Sequence, residues 1–378
     1  MKILQLGKFY PIRGGVEKVM WNLTRGLSAE GVDCDMLCAS LSSSKTDLHD
    51  ACFEQPDGSF RFNGHGRVFR VRALARKAAT MISPAMVRWL RRHKADYDIV
   101  HVHHPDPMAA LALRLSGFKG KVVLHWHSDI LSQKFLLWLY RPLQNWLVKR
   151  ADVIVGTTPA YIAASPYLKD VQAKCTYVPI GIKPIDSDPV GAEHIRKRFP
   201  GKTIIFSVGR LVPYKGYPVL IQAMKHLPKN YHLVIGGSGP LRKSLKKLLA
   251  SEHLRRRVSL EGYLSEDKLP SYYGACDIFV LSSIMKTEAF GIVQIEAMSC
   301  GKPVVATNIP GSGVSWVNED GVSGRNVTPG DPEELAAAIQ DVMSHYEAFA
   351  EGARSRFGQL FSEDRMINSI LKIYEALV

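Results

Sequence analysis

One rhythm constrains this chain more than any other feature. A short apolar run, Met1–Leu6, leads into a glycine-bearing loop from Gly7 to Gly15. Apolar residues then recur near helical spacing at Val16, Val19, Met20, Leu23 and Leu27. Strand, glycine turn and helix in that order begin an α/β unit. Further buried-strand runs follow at Ile99–Val102, Val122–Leu124 and Val153–Val155, separated by helical patterns. Runs apolar on both faces imply a parallel sheet covered on both sides. Between Ile180 and Gly201 the chain turns rich in Pro, Gly and Asp, which reads as a linker.

The rhythm then restarts. Strands are expected at Thr203–Val208, His232–Ile235, near Val258, at Ile278–Leu281 and at Pro303–Thr307. Helices are expected at Pro218–His226, from Leu241, at Glu288–Ser299 and at Pro332–Ala350. The fold class is therefore α/β, with two Rossmann-like domains, residues 1–184 and 185–362, facing across a central cleft. Ligands of such sheets bind in crevices of this kind. An amphipathic stretch, Glu363–Leu377, closes the chain as a helix that can pack back on the first domain.

Composition narrows the function classes. At 378 residues and 46% hydrophobic, the chain can bury two cores. Its formal charge is +14, unevenly spread: residues 1–185 hold 26 Lys+Arg and 14 Asp+Glu, residues 186–378 hold 23 and 21. An acidic partner therefore meets mainly the first half. The start, MKILQLGKFYPIRGG, lacks the apolar region of a signal peptide, and no run has the length of a membrane span. Six cysteines (34, 38, 52, 175, 276, 300) show no C-x-x-C spacing and read as reduced residues of a cytoplasmic protein.

The densest chemical signal is Thr287-Glu288-Ala289-Phe290-Gly291-Ile292-Val293-Gln294-Ile295-Glu296-Ala297. Glu288 is expected in a loop and Glu296 one to two turns inside a helix. Phe290, Gly291, Ile292 and Val293 would offer backbone N–H groups and the positive end of the helix dipole to an anion. Alone, the stretch reads equally well as an acidic first turn of an ordinary helix. Gly209-Arg210-Leu211-Val212-Pro213-Tyr214-Lys215-Gly216 places two cations at the end of a strand, where they can clamp a diphosphate or simply make a solvated basic loop. Gly236-Gly237-Ser238-Gly239 would let a ligand approach backbone closely. It lacks the spacing and acidic partner of a dinucleotide fingerprint, so hydride transfer is not supported.

Arg210 with Lys215, the glycine turn, Glu288 and Glu296 in an E-x7-E pattern, and Gly301-Lys302-Pro303-Val304-Val305 together resemble the retaining glycosyltransferases of family 4, in the two-domain arrangement called GT-B. The resemblance runs from Met1 to about residue 343. It implies that Arg210 and Lys215 bind the donor diphosphate, that Glu288 faces the donor sugar and that Glu296 accepts from the ribose hydroxyls. It also implies that Gly209 and the segment Gly291 to Val293 lie at phosphate and sugar, and that Gly262, Tyr263 and Leu264 line the base pocket. Gly14 and Gly15 match the loop near donor phosphate and acceptor, and His127 matches a histidine beside the donor sugar. Two departures stand out: Leu281-Ser282-Ser283 with Ile284-Met285-Lys286 replaces the usual proline-serine, and Ile180-Gly181-Ile182-Lys183 replaces asparagine-glycine-isoleucine-aspartate.

Other residues admit a second reading. His101 and His103 share one strand face, so a metal pair is conceivable, and His125 reads as a core histidine. Asp33-Cys34-Asp35 spells the D-x-D of metal-dependent transferases in the wrong architecture. Residues 58–95 hold ten Lys+Arg and no Asp or Glu, interleaved with Phe62, Phe69, Leu74, Met81, Val87, Trp89 and Leu90. A second such stretch runs from Lys134 to Arg150. Both suit an anionic membrane surface, or else a solvated face over a core face. No signature of nucleic-acid binding accompanies them.

The resemblance thus points to a hexosyltransferase using a nucleotide sugar, with GDP-mannose favoured over UDP sugars. Its acceptor would be a lipid-linked oligosaccharide at the inner face of the cytoplasmic membrane, and it would need neither cofactor nor metal. The alternatives are a sugar-nucleotide epimerase of the same architecture and a non-catalytic membrane or polyanion binder.

Overall fold

The computed structural model describes the chain apart from residues 10–13, 42–51, 55–58, 63–64, 78–79, 132–133 and 187. The side chains of Phe9, Cys52, Phe53, Glu54, Phe60, Phe62 and Lys134 also lie outside the described residues. The chain divides into two compact units, Met1–Gly181 with Glu363–Val378, and Ile182–Ser362. The first boundary falls a few residues before residue 184.

The first unit is built on a nine-stranded sheet. Its parallel strands run in the order Arg67–Arg72, Asp33–Ser40, Lys2–Phe9, Ile99–His104, Lys121–Trp126, Val153–Gly156, Cys175–Tyr177. An antiparallel pair, Phe60–Phe62 and Cys52–Glu54, extends one edge. The second unit has six parallel strands in the order Val258–Gly262, Tyr231–Gly236, Thr203–Val208, Ile278–Leu281, Val304–Thr307, Gly324–Val327. In each sheet the order reverses beside the first strand, as in doubly wound folds. The crevice beyond the carboxyl ends at that point is where such folds bind ligands. The switch lies between Lys2–Phe9 and Ile99–His104 in one unit, and between Thr203–Val208 and Ile278–Leu281 in the other.

The central strands of the second unit are largely apolar because helices cover both faces. Ile205, Leu233, Ile235, Ile278, Val280 and Val305 join Leu220, Ile221, Leu335 and Ile339 in the core of the second unit. The closing helix, Glu363–Glu375, belongs to the first unit and lies on helix Gly15–Ala29. Gly26 permits the contact, since a Cβ there would stand 2.0 Å from Ile367 Cδ1. Arg25 Nη2 reaches both Glu363 oxygens at 2.7 Å and fastens the helix start.

Several local expectations are corrected. The linker contains a helix, Pro189–Lys197, whose cap Asp188 accepts from Gly191 N at 3.0 Å. The expected helix Pro332–Ala350 is broken at His345 into Pro332–Ser344 and Tyr346–Arg356. The basic segment 58–95 is not one amphipathic stretch. It forms strands Phe60–Phe62, Arg67–Arg72, Ala75–Lys77 and Thr80–Ile82, then helix Pro84–His93. Met81, Met86 and Leu90 are buried and the Trp89 ring lies 4.7 Å from Phe69, whereas Leu74 and Ile82 are exposed. The second stretch behaves differently, for helix Lys134–Arg150 leaves Phe135, Leu136, Trp138 and Leu139 exposed.

Candidate active site

In the second unit the strand Thr203–Val208 ends in Gly209, and the following loop folds back through a short 3-10 turn, Pro213–Lys215. Gly216 closes that turn at φ 66, and a Cβ there would stand 1.9 Å from Ser282 O. Only glycine meets both demands. The turn therefore presses against the end of strand Ile278–Leu281 and brings Lys215 to Glu288, Nζ to Oε2 2.5 Å. Ser283 Oγ donates to the same carboxylate oxygen at 2.9 Å, and Ser282 Oγ donates to Lys215 O at 3.0 Å. Ser282 and Ser283, where the family has proline-serine, thus brace the ion pair. Both its members are largely buried, whereas Arg210 is exposed.

Glu288 lies in the loop, held by its own amide donating to Met285 O at 2.9 Å and by Ser312 Oγ on its carbonyl at 2.5 Å. The helix begins later than Glu288, at Ile292, with Gly291 as its left-handed cap at φ 77. Its first amides belong to Ile292 and Val293 and lack intrahelical partners by geometry. Phe290 is buried. Glu296 stands inside the helix and accepts from Tyr273 OH at 2.6 Å. That tyrosine is fully buried, and burial raises its pKa well above the usual value, with Glu296 adding to the rise.

The glycine turn has a structural purpose. A Cβ on Gly237 would stand 1.9 Å from Gly209 O, and one on Gly239 2.5 Å from Leu211 O. These glycines let the loop after Tyr231–Gly236 lie on the Arg210 loop. Gly262 ends its strand at φ 82 and accepts from Gly237 N, Leu264 packs on Gly236, and Tyr263 is exposed.

In the first unit the corresponding switch point is lined by histidines. His101, His103 and His104 end strand Ile99–His104, His125 lies in strand Lys121–Trp126, and His127 follows it. All five are buried. Burial drives all five well below the usual imidazole range, His104 and His125 to about 3, so they are neutral. A chain of hydrogen bonds then fixes their tautomers. Gln5 Nε2 donates to Tyr374 OH at 2.8 Å, and Tyr374 OH donates to His101 Nδ1 at 2.5 Å. Gln5 Oε1 can only accept, so His103 carries its proton on Nε2, at 2.7 Å. His103 Nδ1 is then an acceptor, and His127 Nε2 must donate to it across 2.9 Å. His127 Nδ1 is left as a buried lone pair without a hydrogen-bond partner.

The expected pair His101 and His103 does share a face. The nitrogens of His103, His125 and His127 lie within 4.8 Å of one another. The rings of these three are within 21° of parallel. Their lone pairs therefore run side by side, not toward one point, and two of the nitrogens already bond each other. Asp35 of the D-x-D triplet accepts from Arg67 N at 2.8 Å and Tyr97 OH at 2.7 Å, a structural role. Gly14 caps helix Gly15–Ala29, and a Cβ on it would meet Glu17 Oε2 at 1.9 Å. The absence of a Cβ on Gly14 leaves room for the buried Glu17 carboxylate. Sequence reasoning missed Glu17, Gln5 and Tyr374; a Glu at the third helical position after a cap was the one readable signal.

Two doubly wound domains, one with a braced Lys–Glu pair at its switch point, form the architecture called GT-B. Residues 13–183 match the family model Glycosyltransferase Family 4, and residues 192–357 match Glycosyl transferases group 1. The chain belongs to glycosyltransferase family 4. It is 29% identical to the O-antigen chain mannosyltransferase C of Escherichia coli, over 100% of this chain and 99% of that protein. It is 31% identical to the D-rhamnosyltransferase WbpZ of Pseudomonas aeruginosa, over 96% of this chain and 92% of that one. Among solved structures, Anabaena HepE in complex with UDP superposes with a TM-score of 0.78 at 22% identity, covering all of both chains. No helix among the described residues is long and apolar enough to cross a membrane.

Proposed function

We propose that this chain transfers a hexose, mannose from GDP-mannose foremost, to a lipid-linked glycan in bacterial surface polysaccharide synthesis, with retention at the anomeric carbon. The observation that carries the reading is the Lys215–Glu288 pair, held at 2.5 Å at the switch point of the second unit, next to a helix start. A nucleoside diphosphate leaving group gains negative charge as it departs, and a fixed lysine, Arg210 and the amides of Ile292 and Val293 are donors suited to that growth. Glu288 would turn its carboxylate to donor-sugar hydroxyls, and Glu296 to the ribose. His127 would accept from a sugar hydroxyl through Nδ1, the lone pair its neighbours leave open. The cations that act on the diphosphate are the chain's own, with no metal assigned a role.

The full-length likeness to an O-antigen mannosyltransferase supports mannose, and the likeness to a rhamnosyltransferase supports a deoxyhexose as the nearest second donor. A thermal-shift panel of nucleotide sugars tests the donor. GDP-mannose is expected to raise the melting temperature more than UDP or ADP sugars, by RT ln(1 + [L]/Kd) in free energy. A larger response to a UDP sugar overturns the mannose assignment. Isomerised nucleotide sugar formed without acceptor would show an epimerase instead.

A further inference from the structure

The first unit holds a cavity of about 530 Å³ beside the carboxyl ends of Lys2–Phe9 and Ile99–His104. That volume falls among those of small-molecule sites, roughly 300–1,000 Å³. Most of its wall is apolar, including Ile82, Leu111, Ile130, Leu136, Leu139 and Leu143. Ile82, Leu111, Leu136 and Leu139 are also exposed, so the cavity opens at the surface. An open apolar wall of this extent marks a surface meant to be covered.

Its polar groups are few and placed with care. Lys8 stands on the wall in a left-handed backbone conformation, φ 53, which lysine rarely adopts. Asp106 Oδ2 accepts from its amide at 2.5 Å, and Pro105 O accepts from its Nζ at 2.6 Å. Tyr140, also on the wall, has a buried hydroxyl with no hydrogen-bond partner, a donor in want of an acceptor. Lys77 adds a second cation. The helix that supplies Leu136, Leu139 and Tyr140 also exposes Phe135 by 71% and Trp138 by 67%, with Arg141 exposed beside them. Aromatic groups and cations together on one helix suit the surface of an anionic bilayer.

We propose that this cavity holds the apolar chain of a phosphate-bearing membrane lipid, with the phosphate at Lys8, Lys77 and the Tyr140 hydroxyl. The proposal rests on the transferase reading and says where the lipid part of the acceptor sits. Charge complementarity selects the occupant: Lys8, the exposed Lys77 and the unpartnered Tyr140 hydroxyl suit a phosphate, and the leucines suit an apolar chain. The polar end lies near His104 and His127, whose imidazoles both feel the Lys8 charge. A lipid seated there therefore presents its head group at the edge of the sheet where His127 stands.

The test titrates the full chain with farnesyl phosphate, with farnesol and inorganic phosphate as comparisons, by calorimetry. Saturable binding of farnesyl phosphate is expected, with farnesol about tenfold weaker or more. Leu139→Glu is expected to weaken farnesyl phosphate at least about tenfold, and Tyr140→Phe to weaken it while leaving farnesol unchanged. Melting temperatures check that both variants fold. No saturable binding, unchanged binding by folded Leu139→Glu, or displacement by equimolar inorganic phosphate overturns the proposal. If GDP-mannose stabilises the protein and farnesyl phosphate does not bind, the cavity assignment alone falls. If neither binds, the GDP-mannose reading falls with it.

Discussion

Strands Lys2–Phe9 and Thr203–Val208 hold the same place in their sheets, each beside the point where strand order reverses. The two switch points handle charge in opposite ways. Beyond Val208 the second unit keeps fixed charges, with Lys215 and Glu288 paired at 2.5 Å and Arg210 exposed. Around the first unit's switch point five histidines are stripped of charge by burial. The difference shows what a shared topology leaves open: the crevice is given by strand order, and its chemistry by which side chains the loops bring there. A diphosphate needs charges that persist, whereas sugar hydroxyls need neutral donors and acceptors in fixed orientations.

The largest expected effect comes from acid. Below pH 6.5 the unfolded chain takes up protons that the buried histidines refuse, so stability falls as pH falls; above 6.5 neither state is protonated and stability is flat. His104 and His125, held near 3 against 6.5, would each lose about 1.4 kcal/mol per pH unit in that window. His101, His103 and His127 shift the same way. In the second unit His232 is also lowered, to about 4. Five of the six tryptophans, 21, 89, 126, 138 and 146, lie in the first unit. Melting followed by tryptophan emission should therefore drop steeply between pH 6.5 and 5. A melting temperature unchanged over that range contradicts the neutral histidine row.

Fixed charge is tested next. Lys215→Ala should leave the Glu288 carboxylate without its cation and cut turnover about 10²–10³-fold while raising donor KM. Wild-type kinetics in that variant would remove Lys215 from the diphosphate site. The smallest effect concerns the membrane. Phe135→Ser with Trp138→Ser should weaken co-sedimentation with anionic vesicles more than removal of charge at Arg88, Arg91 and Arg92. Each contacting cation contributes only about 1 kcal/mol, and Arg91 already donates to Leu115 O at 2.9 Å. The reverse order would return the membrane surface to helix Pro84–His93.

The alternation of apolar strands and glycine turns was legible because both faces of a parallel sheet are covered. The loop place of Glu288 and the helical place of Glu296 were legible from the glycine between them. The helix Pro189–Lys197 hid inside a Pro- and Asp-rich run, although Asp188-Pro189 is itself a helix start. The strands of the basic segment were hidden because cations and aromatics alternate alike in a lipid-facing helix and in a sheet edge packed on a core. Gln5 with Tyr374 could not be read, since 369 residues separate them and neither carries a local pattern. The contact of Gly237 and Gly239 with the Arg210 loop was equally hidden, because loop-on-loop contact and ligand contact ask the same of a glycine.

The return of the last helix to the first unit has a consequence for biosynthesis. A ribosome releases residues 1–181 long before Tyr374 exists, so the nascent first unit waits with Gln5 and His101 lacking their shared hydroxyl. The second unit, continuous from Ile182 to Ser362, emerges whole in the meantime. The histidine row is therefore completed last, after the Lys215–Glu288 pair of the second unit has been synthesised.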